Sequence, residues 1–377
     1  MNYLYIAEDY LTTRVHHHLC EALTKQDIHP IVFTVERNNK RGKLPDTPSE
    51  QHYTLKKTTL QGSELLYKYV FPYKISTKYK LLKSQVDLTS VQMVHAATLF
   101  SEGALAYKLF KKHHIPYMVA VRGSDLFFYL EKMPHLWPLG RKILKHAKKI
   151  FFITPNAQQR ALHHPVLKSV REIIAHNSIV IPNGIDSFWT QNIAHKQSGN
   201  LPQSILYVGN FEHCKNIPVL IETCRKARLH YPTLQLSLVG GGGSQQAEVE
   251  SLIKKHSDWI TFTGSISDKE QLKEIYRKHD LFAMVSYETF GLVYVEALTQ
   301  GLPLIYAKGS GFDGMYEEGI VGYSTELENV EHLTENIKKT IVNYDTLIDN
   351  ISHCDFNRYN WDSIAEVYAK ILGDCLR

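Results

Sequence analysis

Long apolar runs and paired cysteines are both missing from this 377-residue chain. No segment approaches the roughly 18 consecutive apolar residues that indicate a membrane-spanning helix. The five cysteines are far apart and form no C-x-x-C pair, so neither a disulfide framework nor a zinc site is predicted. A reducing cytoplasm is the expected location. No basic segment precedes the strand-like residues 3–7, and we expect no secretory leader.

Several ligand signatures are also missing. No G-x-G-x-x-G follows the first predicted strand and precedes a helix, which argues against a dehydrogenase. No RNA- or DNA-binding signature is present, so a nucleic-acid partner is not predicted. His16, His17 and His18 are adjacent, and successive helical side chains point in different directions. They should not share one ion, so no metal site is predicted.

Charge is distributed unevenly between the two halves. Residues 1–185 contain 26 Lys and Arg against 13 Asp and Glu, whereas residues 186–377 contain 17 against 25. Such asymmetry suggests that the first half meets an anionic surface or substrate. Lysines alternate with tyrosines and a phenylalanine between residues 67 and 83, within a basic stretch over 37–83. This mixture suits either an anionic lipid interface or a solvated helical face, and the sequence favours neither.

Both halves alternate short apolar runs with helical patterns, which is typical of parallel sheets with crossover helices. Strands are predicted at 3–7, 31–35, 93–95, 117–121, 149–154 and 179–182, and again at 204–208, 235–239, 259–262, 281–285 and 302–306. The polar stretch 191–203 has no apolar periodicity and is typical of a linker. The chain should therefore fold as two doubly wound α/β domains whose strand ends face a central cleft.

The densest chemical signal follows the strand predicted at 281–285. Gly291 allows a close approach of the backbone to a ligand, and the helix that begins there offers free N–H groups to an anion. Glu288 lies in the loop before this helix. Glu296 is the only charged residue between 290 and 298, and a carboxylate in that setting needs hydrogen-bond donors. A sugar's neighbouring hydroxyls would supply them, although a local amide or cation could do the same.

These residues stand in a longer pattern, S-x-E-x-F-G-L-V-x-x-E-A-x-x-x-G-x-P, over residues 286–303. Upstream are I-P-N-G-I-D at 181–186, Y-V-G-N-F-E-H-C-K-N at 207–216, V-G-G-G-G at 239–243 and F-T-G-S at 262–265. In this order the motifs resemble those of the GT4 family of retaining glycosyltransferases, which have the GT-B fold. The resemblance covers nearly all of residues 180–306. In the first half it rests on His95 and on the R-G-S-D turn at 122–125.

The resemblance implies domains over 1–185 and 204–356, a linker over 186–203, and a C-terminal helix within 357–377 that packs back onto the first domain. It also implies that Glu288 holds hydroxyls of the transferred sugar, Glu296 holds the ribose, and Lys215 meets the diphosphate. The catalytic residues would be Arg122, Lys215 and Glu288. The substrate-binding residues would be Glu296, Gly209, Asn210, Gly264, Ser265, Phe290, Gly291, Leu292, Val293, His95 and Asp125.

Three features depart from the family pattern. One is the missing Gly-Gly turn after the first strand, since residues 9–14 contain no glycine, so the phosphate contact of that turn is not expected. Asn210 stands where many relatives have an arginine in the phosphate loop, so one cation is missing or supplied elsewhere. Arg122 stands where many have histidine, and it could supply that charge. The alternative is a structural Arg122 paired with Asp125.

The resemblance predicts a retaining transferase that moves a hexosyl or N-acetylhexosaminyl group from a UDP- or GDP-linked donor without a required cofactor. The acceptor would belong to an envelope polysaccharide, a lipid-linked glycan or a glycolipid, and the enzyme could be peripheral on the inner face of the cell membrane. Two alternatives remain open at this point. One is a non-catalytic subunit of the same fold that binds glycan or a partner protein, and the other is a nucleotide-sugar epimerase.

Overall fold

A computed structural model describes residues 1–36, 52–60 and 62–377. The described strands are β1 (Asn2–Ile6), β2 (His29–Glu36), β3 (Thr54–Thr59), β4 (Met93–Ala96), β5 (Tyr117–Val121), β6 (Ile150–Phe152), β7 (Ser178–Val180), β8 (Ser204–Gly209), β9 (Gln235–Gly240), β10 (Ile260–Gly264), β11 (Leu281–Met284), β12 (Leu304–Ala307) and β13 (Gly322–Thr325). The described part of the chain contains no helix that is both long enough and apolar enough to cross a bilayer.

The described α-helices are α1 (Val15–Thr24), α2 (Glu64–Tyr69), α3 (Phe71–Lys83), α4 (Ser101–His113), α5 (Leu130–Lys132), α6 (Trp137–His146), α7 (Pro155–His163), α8 (Arg171–Asn177), α9 (Ser187–Gln191), α10 (Ile217–Ala227), α11 (Gln246–Lys255), α12 (Lys269–Lys278), α13 (Leu292–Thr299), α14 (Val330–Val342), α15 (Tyr344–Ser352) and α16 (Trp361–Leu376). A π-helical turn lies at Asp125–Tyr129, and short 3-10 turns lie at Pro134–Leu136, Pro165–Val170, His213–Lys215 and Asn357–Tyr359.

These elements form two compact units. The first comprises residues 1–153, 157–184 and 361–377, and the second comprises 154–156 and 185–360. Each unit is built on a parallel sheet, ordered β3-β2-β1-β4-β5-β6-β7 in the first and β10-β9-β8-β11-β12-β13 in the second. The predicted class, two parallel Rossmann-like α/β units, is confirmed.

The first sheet is covered on both faces because its central strands are apolar on both. Along β1, Leu4 and Ile6 join the apolar core beneath α3, α4 and α6, whereas Tyr3 and Tyr5 face the opposite core. That second core contains residues of α1 and α16, so the C-terminal helix buries its apolar stripe within the first unit. Successive side chains of a strand point to opposite faces of the sheet, so neighbouring residues of β1 enter different cores. Helices on both faces protect a parallel sheet from water.

Residues 186–203 are an ordered part of the second unit. Asp186 caps α9 by accepting from the backbone N–H of Phe188 at 3.0 Å. The Lys196 ammonium donates to the carbonyls of Arg277 and His279, each at 2.6 Å. A stretch without apolar periodicity is thus held by polar contacts with the end of α12.

Candidate active site

The carboxyl ends of two neighbouring strands bring the predicted donor-binding residues together. In the second sheet the strand order changes direction between β8 and β11, which lie side by side. The loop after β8 contains Lys215, and the loop after β11 contains Glu288. Ligands of open α/β sheets bind at this kind of switch point, because the two loops diverge there and leave a crevice.

Lys215 and Glu288 form an ion pair between the Lys215 ammonium and Glu288 Oε1. Their side chains are 16% and 21% exposed, so both charges are largely withdrawn from water. The buried hydroxyl of Ser286 donates to the same Glu288 oxygen at 2.7 Å. Two donors therefore fix this carboxylate at the end of β11.

Asn216 joins the two loops. Its backbone is left-handed, with φ 51° and ψ 36°, and it precedes α10. Its side-chain amide donates to the carbonyl of Val285, just beyond β11, at 3.0 Å. Asparagine tolerates this backbone conformation better than most residues. One residue thus turns the chain after Lys215 and ties that turn to the loop that holds Glu288.

The start of α13 requires glycine. Gly291 has φ 84°, and a Cβ there would lie 2.3 Å from the ring of Tyr294. The Tyr294 hydroxyl is in turn bonded to the carbonyl of Met284 at 2.6 Å. The amides from 291 to 293 stand at the N-terminus of this helix, where unpaired N–H groups favour an anion.

Glu296 lies on α13, and its side chain is half-buried. Its Oε2 accepts a hydrogen bond from the buried Tyr276 hydroxyl at 3.3 Å. Burial raises the pKa of Glu296 to about 7, and the nearby Asp186 adds to this effect, while the Tyr276 hydroxyl and Lys269 oppose it. Asp186 itself is ion-paired with Lys269. A carboxylate with one weak donor and a raised pKa has capacity for further hydrogen-bond donors.

Glycines stand at the carboxyl ends of three strands, β8, β9 and β10, where they leave no side chain to fill the space. Gly209 ends β8 beside Gly240, where a Cβ would lie 1.8 Å from the Gly209 carbonyl oxygen. Gly264 ends β10 with φ 76° and open space around its Cα. The neighbouring Asn210 and Ser265 are exposed. These predicted contact residues lie at the same carboxyl edge of the sheet as Lys215.

Phe290 differs from its neighbours in this motif. It is buried and packs against Tyr359, with ring centroids 6.3 Å apart, whereas Leu292 and Val293 are half-buried. Its side chain belongs to the core of the second unit. Contact of Phe290 with a substrate stays a prediction and would have to involve its backbone.

Arg122 and Asp125 do not form the side-chain ion pair that was the structural alternative for Arg122. The guanidinium donates to the carbonyl of Ala97 at 3.3 Å and to Asn183 Oδ1 at 3.2 Å. Asp125 is fully buried and accepts from the backbone N–H groups of Arg122, Leu99 and Phe100 at 2.9 to 3.1 Å. Asp125 thus organises two loops, and its predicted contact with substrate remains untested.

His95 is a core residue of the first unit. It is 1% exposed, its Nδ1 is hydrogen-bonded to the Tyr3 hydroxyl, and its ring packs against Tyr5, Phe151 and Tyr368. Burial keeps its pKa well below the usual value. Its position within β4, rather than after it, gives it this packing role, and a ligand contact stays a prediction.

The basic stretch that could have faced a lipid surface is divided by the fold. Residues 37–51 lie outside the described residues. Lys78 is buried between Glu8 and Glu102, at 2.8 and 2.9 Å, and Lys74 pairs with Glu8 at 2.7 Å. Lys78 and Tyr67 are buried and Lys74 is half-buried, so these side chains do not belong to an exposed basic surface, and a lipid-facing role for the rest of the stretch stays a prediction. Lys68, Lys80 and Lys83 are exposed.

Sequence reasoning gave no role to Ser286, Asn216 or Tyr276. The first two lie inside the motifs given above, Ser286 two residues before Glu288 and Asn216 directly after Lys215, and this proximity could have indicated their positions. Tyr276 lies on α12, 20 residues before Glu296. Only the packing of α12 beside α13 brings its hydroxyl to Glu296.

Taken together, the fold and this strand-end site define a two-unit α/β protein in which Lys215 and Glu288 meet at the carboxyl ends of neighbouring strands, beside the N-terminus of α13. Residues 12–187 match Glycosyltransferase Family 4, and residues 191–352 match Glycosyl transferases group 1. The chain therefore belongs to the GT4-type glycosyltransferases of the GT-B fold and is a sugar-transferring enzyme by family.

Individual relatives are distant. An uncharacterized glycosyltransferase of Methanocaldococcus jannaschii is 23% identical over 266 residues, which cover 70% of each chain. The alpha-monoglucosyldiacylglycerol synthase of Acholeplasma laidlawii is 27% identical over 279 residues, or 67% of each chain.

Solved structures share the fold over the full length. The lipopolysaccharide outer core galactosyltransferase WaaB, in its apo form, superimposes with a TM-score of 0.72 at 17% identity, covering 99% of this chain and 100% of that one. Anabaena HepE in complex with UDP gives a TM-score of 0.70 at 17% identity with the same coverage. At these identities the similarity is one of fold.

Proposed function

We propose that this chain transfers a hexosyl or N-acetylhexosaminyl group from a UDP- or GDP-linked donor to an acceptor hydroxyl, with retention of anomeric configuration. The observation that carries the proposal is the meeting of Lys215 and Glu288 at the carboxyl ends of the neighbouring strands β8 and β11, with Glu296 on the helix that follows. HepE, which shares this fold, has been crystallised with UDP and with UDP-glucose.

Each of these groups has a distinct role in the proposal. Lys215 and the N–H groups that begin α13 neutralise the diphosphate, which is both part of the donor and the leaving group. Glu296 accepts hydrogen bonds from the ribose hydroxyls, and Glu288 accepts them from the transferred sugar. No cofactor enters the proposed reaction.

The proposed chemistry is a front-face displacement. The acceptor oxygen bonds to the anomeric carbon on the face from which the diphosphate departs, the bond from that carbon to the phosphate oxygen breaks, and the acceptor's proton passes to the diphosphate. The protein's contribution is positioning and stabilisation of the developing charge, which accounts for most of the rate in reactions of this type. Lys215 supplies part of that charge, and Arg122 is proposed to supply the cation that Asn210 does not.

We further propose that the acceptor belongs to a lipid-linked glycan, a glycolipid or an envelope polysaccharide, and that the first unit binds an anionic membrane. The support is the surface of α2, where Leu65 and Tyr69 are 71% and 69% exposed next to the exposed Lys68. Apolar and aromatic side chains beside lysines suit the headgroup region of a bilayer. The Acholeplasma relative is named for synthesis of a glycolipid.

A thermal-shift panel tests the proposed function. UDP, GDP and ADP, each alone and as a sugar conjugate, are added to the full chain, since a ligand that binds only the native state raises its melting temperature. We expect one nucleotide and its conjugates to stabilise the protein. NMR of the sugar released by slow hydrolysis of that conjugate should show the donor's anomeric configuration. Absence of any stabilisation would refute donor binding, and the opposite anomer would refute retention.

A further inference from the structure

Two groups assigned to different parts of the donor already neutralise one another in the structure. The Lys215 ammonium, proposed to meet the diphosphate, is ion-paired with Glu288, proposed to meet the sugar. Both side chains are at least three-quarters withdrawn from water. A charged side chain that is this far withdrawn from water is strongly destabilised when it loses its partner, unless a second group of opposite charge replaces that partner.

The backbone on both sides of this pair is fixed. Asn216 ties the Lys215 turn to the Val285 carbonyl at 3.0 Å. On the other side, the Gly311 N–H donates to the Glu288 carbonyl at 2.7 Å, and a Cβ at Gly311 would lie only 2.0 Å from the Thr289 carbonyl oxygen. Little room is left for the loops to part. The flexible stem of Lys215 is thus the element that can change partner.

Glu288 is held more firmly than Lys215. Ser286, fully buried, donates to Glu288 Oε1 at 2.7 Å and would still do so after the ammonium moved away. The carboxylate would then keep one donor and need others. Sugar hydroxyls are donors of the right kind, whereas a diphosphate has only oxygens that repel it.

We propose that Glu288 is an internal substitute for the donor's diphosphate. Before the donor binds, Glu288 neutralises Lys215; when it binds, the ammonium passes to the diphosphate and the sugar's hydroxyls take its place on Glu288. The proposal rests on the proposed function and adds a consequence to it. A nucleotide sugar satisfies both charged groups, but the released nucleoside diphosphate satisfies only Lys215, so the exchange favours donor over product.

Calorimetric titration of the full chain tests this exchange. The probes are the nucleoside diphosphate that stabilises the protein, its sugar conjugate and inorganic pyrophosphate. We expect Glu288→Gln to bind the diphosphate and pyrophosphate about tenfold more tightly than wild type, because Lys215 loses its competitor. The sugar conjugate should bind no more tightly, so the preference for donor over product should shrink by about the same factor. Glu335→Gln, an exposed position on α14, makes the same charge change and should leave all three affinities unaltered.

Further variants separate the possible failures. In a Lys215→Met background, Glu288→Gln should give no gain in diphosphate affinity; a gain that persists there would overturn the exchange. Equal or weaker diphosphate binding by a folded Glu288→Gln variant, with normal binding by wild type, would overturn the exchange alone. Failure of the wild-type protein to bind any nucleotide would refute the proposed function, and the exchange with it.

Discussion

The hydroxyl of Tyr276 donates to Oε2 of Glu296 across 3.3 Å, and this hydrogen bond links α12 to α13 in the second unit. Tyr276 is fully buried, and its ring also packs against Trp189 of α9 with the centroids 5.4 Å apart. The carboxylate that is proposed to hold the ribose is therefore positioned by two other helices.

Nucleotide affinity should depend on pH through Glu296. Burial raises the pKa of this carboxyl to about 7. Ribose hydroxyls would donate to the ionised form, so the bound state would have the lower pKa and bind fewer protons. Affinity should thus weaken by up to about tenfold for each pH unit below 7 and level off above it. Titrations from pH 5.5 to 8.5 measure this.

Glu296→Gln is the control for that titration, because any ionisation of the nucleotide itself affects both proteins equally. We expect the ratio of wild-type to variant affinity to rise with pH and reach a plateau above about 7. A ratio that stays constant, or falls as pH rises, would contradict the ribose role of Glu296.

Arg122→Ala should reduce turnover on the order of 100- to 1000-fold if the guanidinium stabilises the leaving group, as loss of one preorganised donor does elsewhere. The melting temperature should change little, since the lost hydrogen bonds to Ala97 and Asn183 are long and partly exposed. Arg122→His should recover part of the turnover. Near-normal turnover of Arg122→Ala would mean that Arg122 has only a structural role, through its contacts with Ala97 and Asn183.

Lys78→Met should destabilise the first unit by about 3–5 kcal/mol, because it leaves Glu8 and Glu102 buried without their shared cation. Although burial alone would lower it, the pKa of Lys78 is raised because Glu102 and Glu8 outweigh that effect. Urea unfolding measures the loss. Lys80→Met changes an exposed lysine of the same helix and should alter stability by no more than about 0.5 kcal/mol. Equal effects of the two variants would contradict a structural role for the buried cluster.

Membrane binding should depend on α2. The wild-type protein should sediment with anionic liposomes at low salt and be released by added salt, since screening shortens the reach of exposed lysines. The double variant Leu65→Ser and Tyr69→Ser should sediment several-fold less while binding nucleotide normally. Leu229→Ser, at an equally exposed leucine of the second unit, is the matched control. Unchanged sedimentation of the double variant, or none by wild type, would refute this surface.

The sequence alone determined the two parallel sheets and the strand-end position of the motif over residues 286–303. Apolar runs of four to six residues, such as β8 and β11, are buried on both faces and therefore show directly in the sequence. β3 and β13 were not predicted. Both lie at sheet edges, where polar residues such as Lys56, Lys57 and Ser324 are tolerated and the apolar signal is weak.

Tertiary structure decided which charged and polar side chains face inward. From sequence, Lys74, Lys78 and Lys80 are equivalent members of one basic helix, yet the first two neutralise Glu8 and Glu102. Those carboxylates lie after β1 and at the start of α4, far away in the chain, so no local pattern could pair them. The burial of His95 and Phe290 also depends on residues far away in the chain, because Phe151 and Tyr368 cover the first and Tyr359 covers the second. The pairing of Lys215 with Glu288, 73 positions apart, exists because β8 and β11 are neighbours in the sheet, and strand order is a property of the fold.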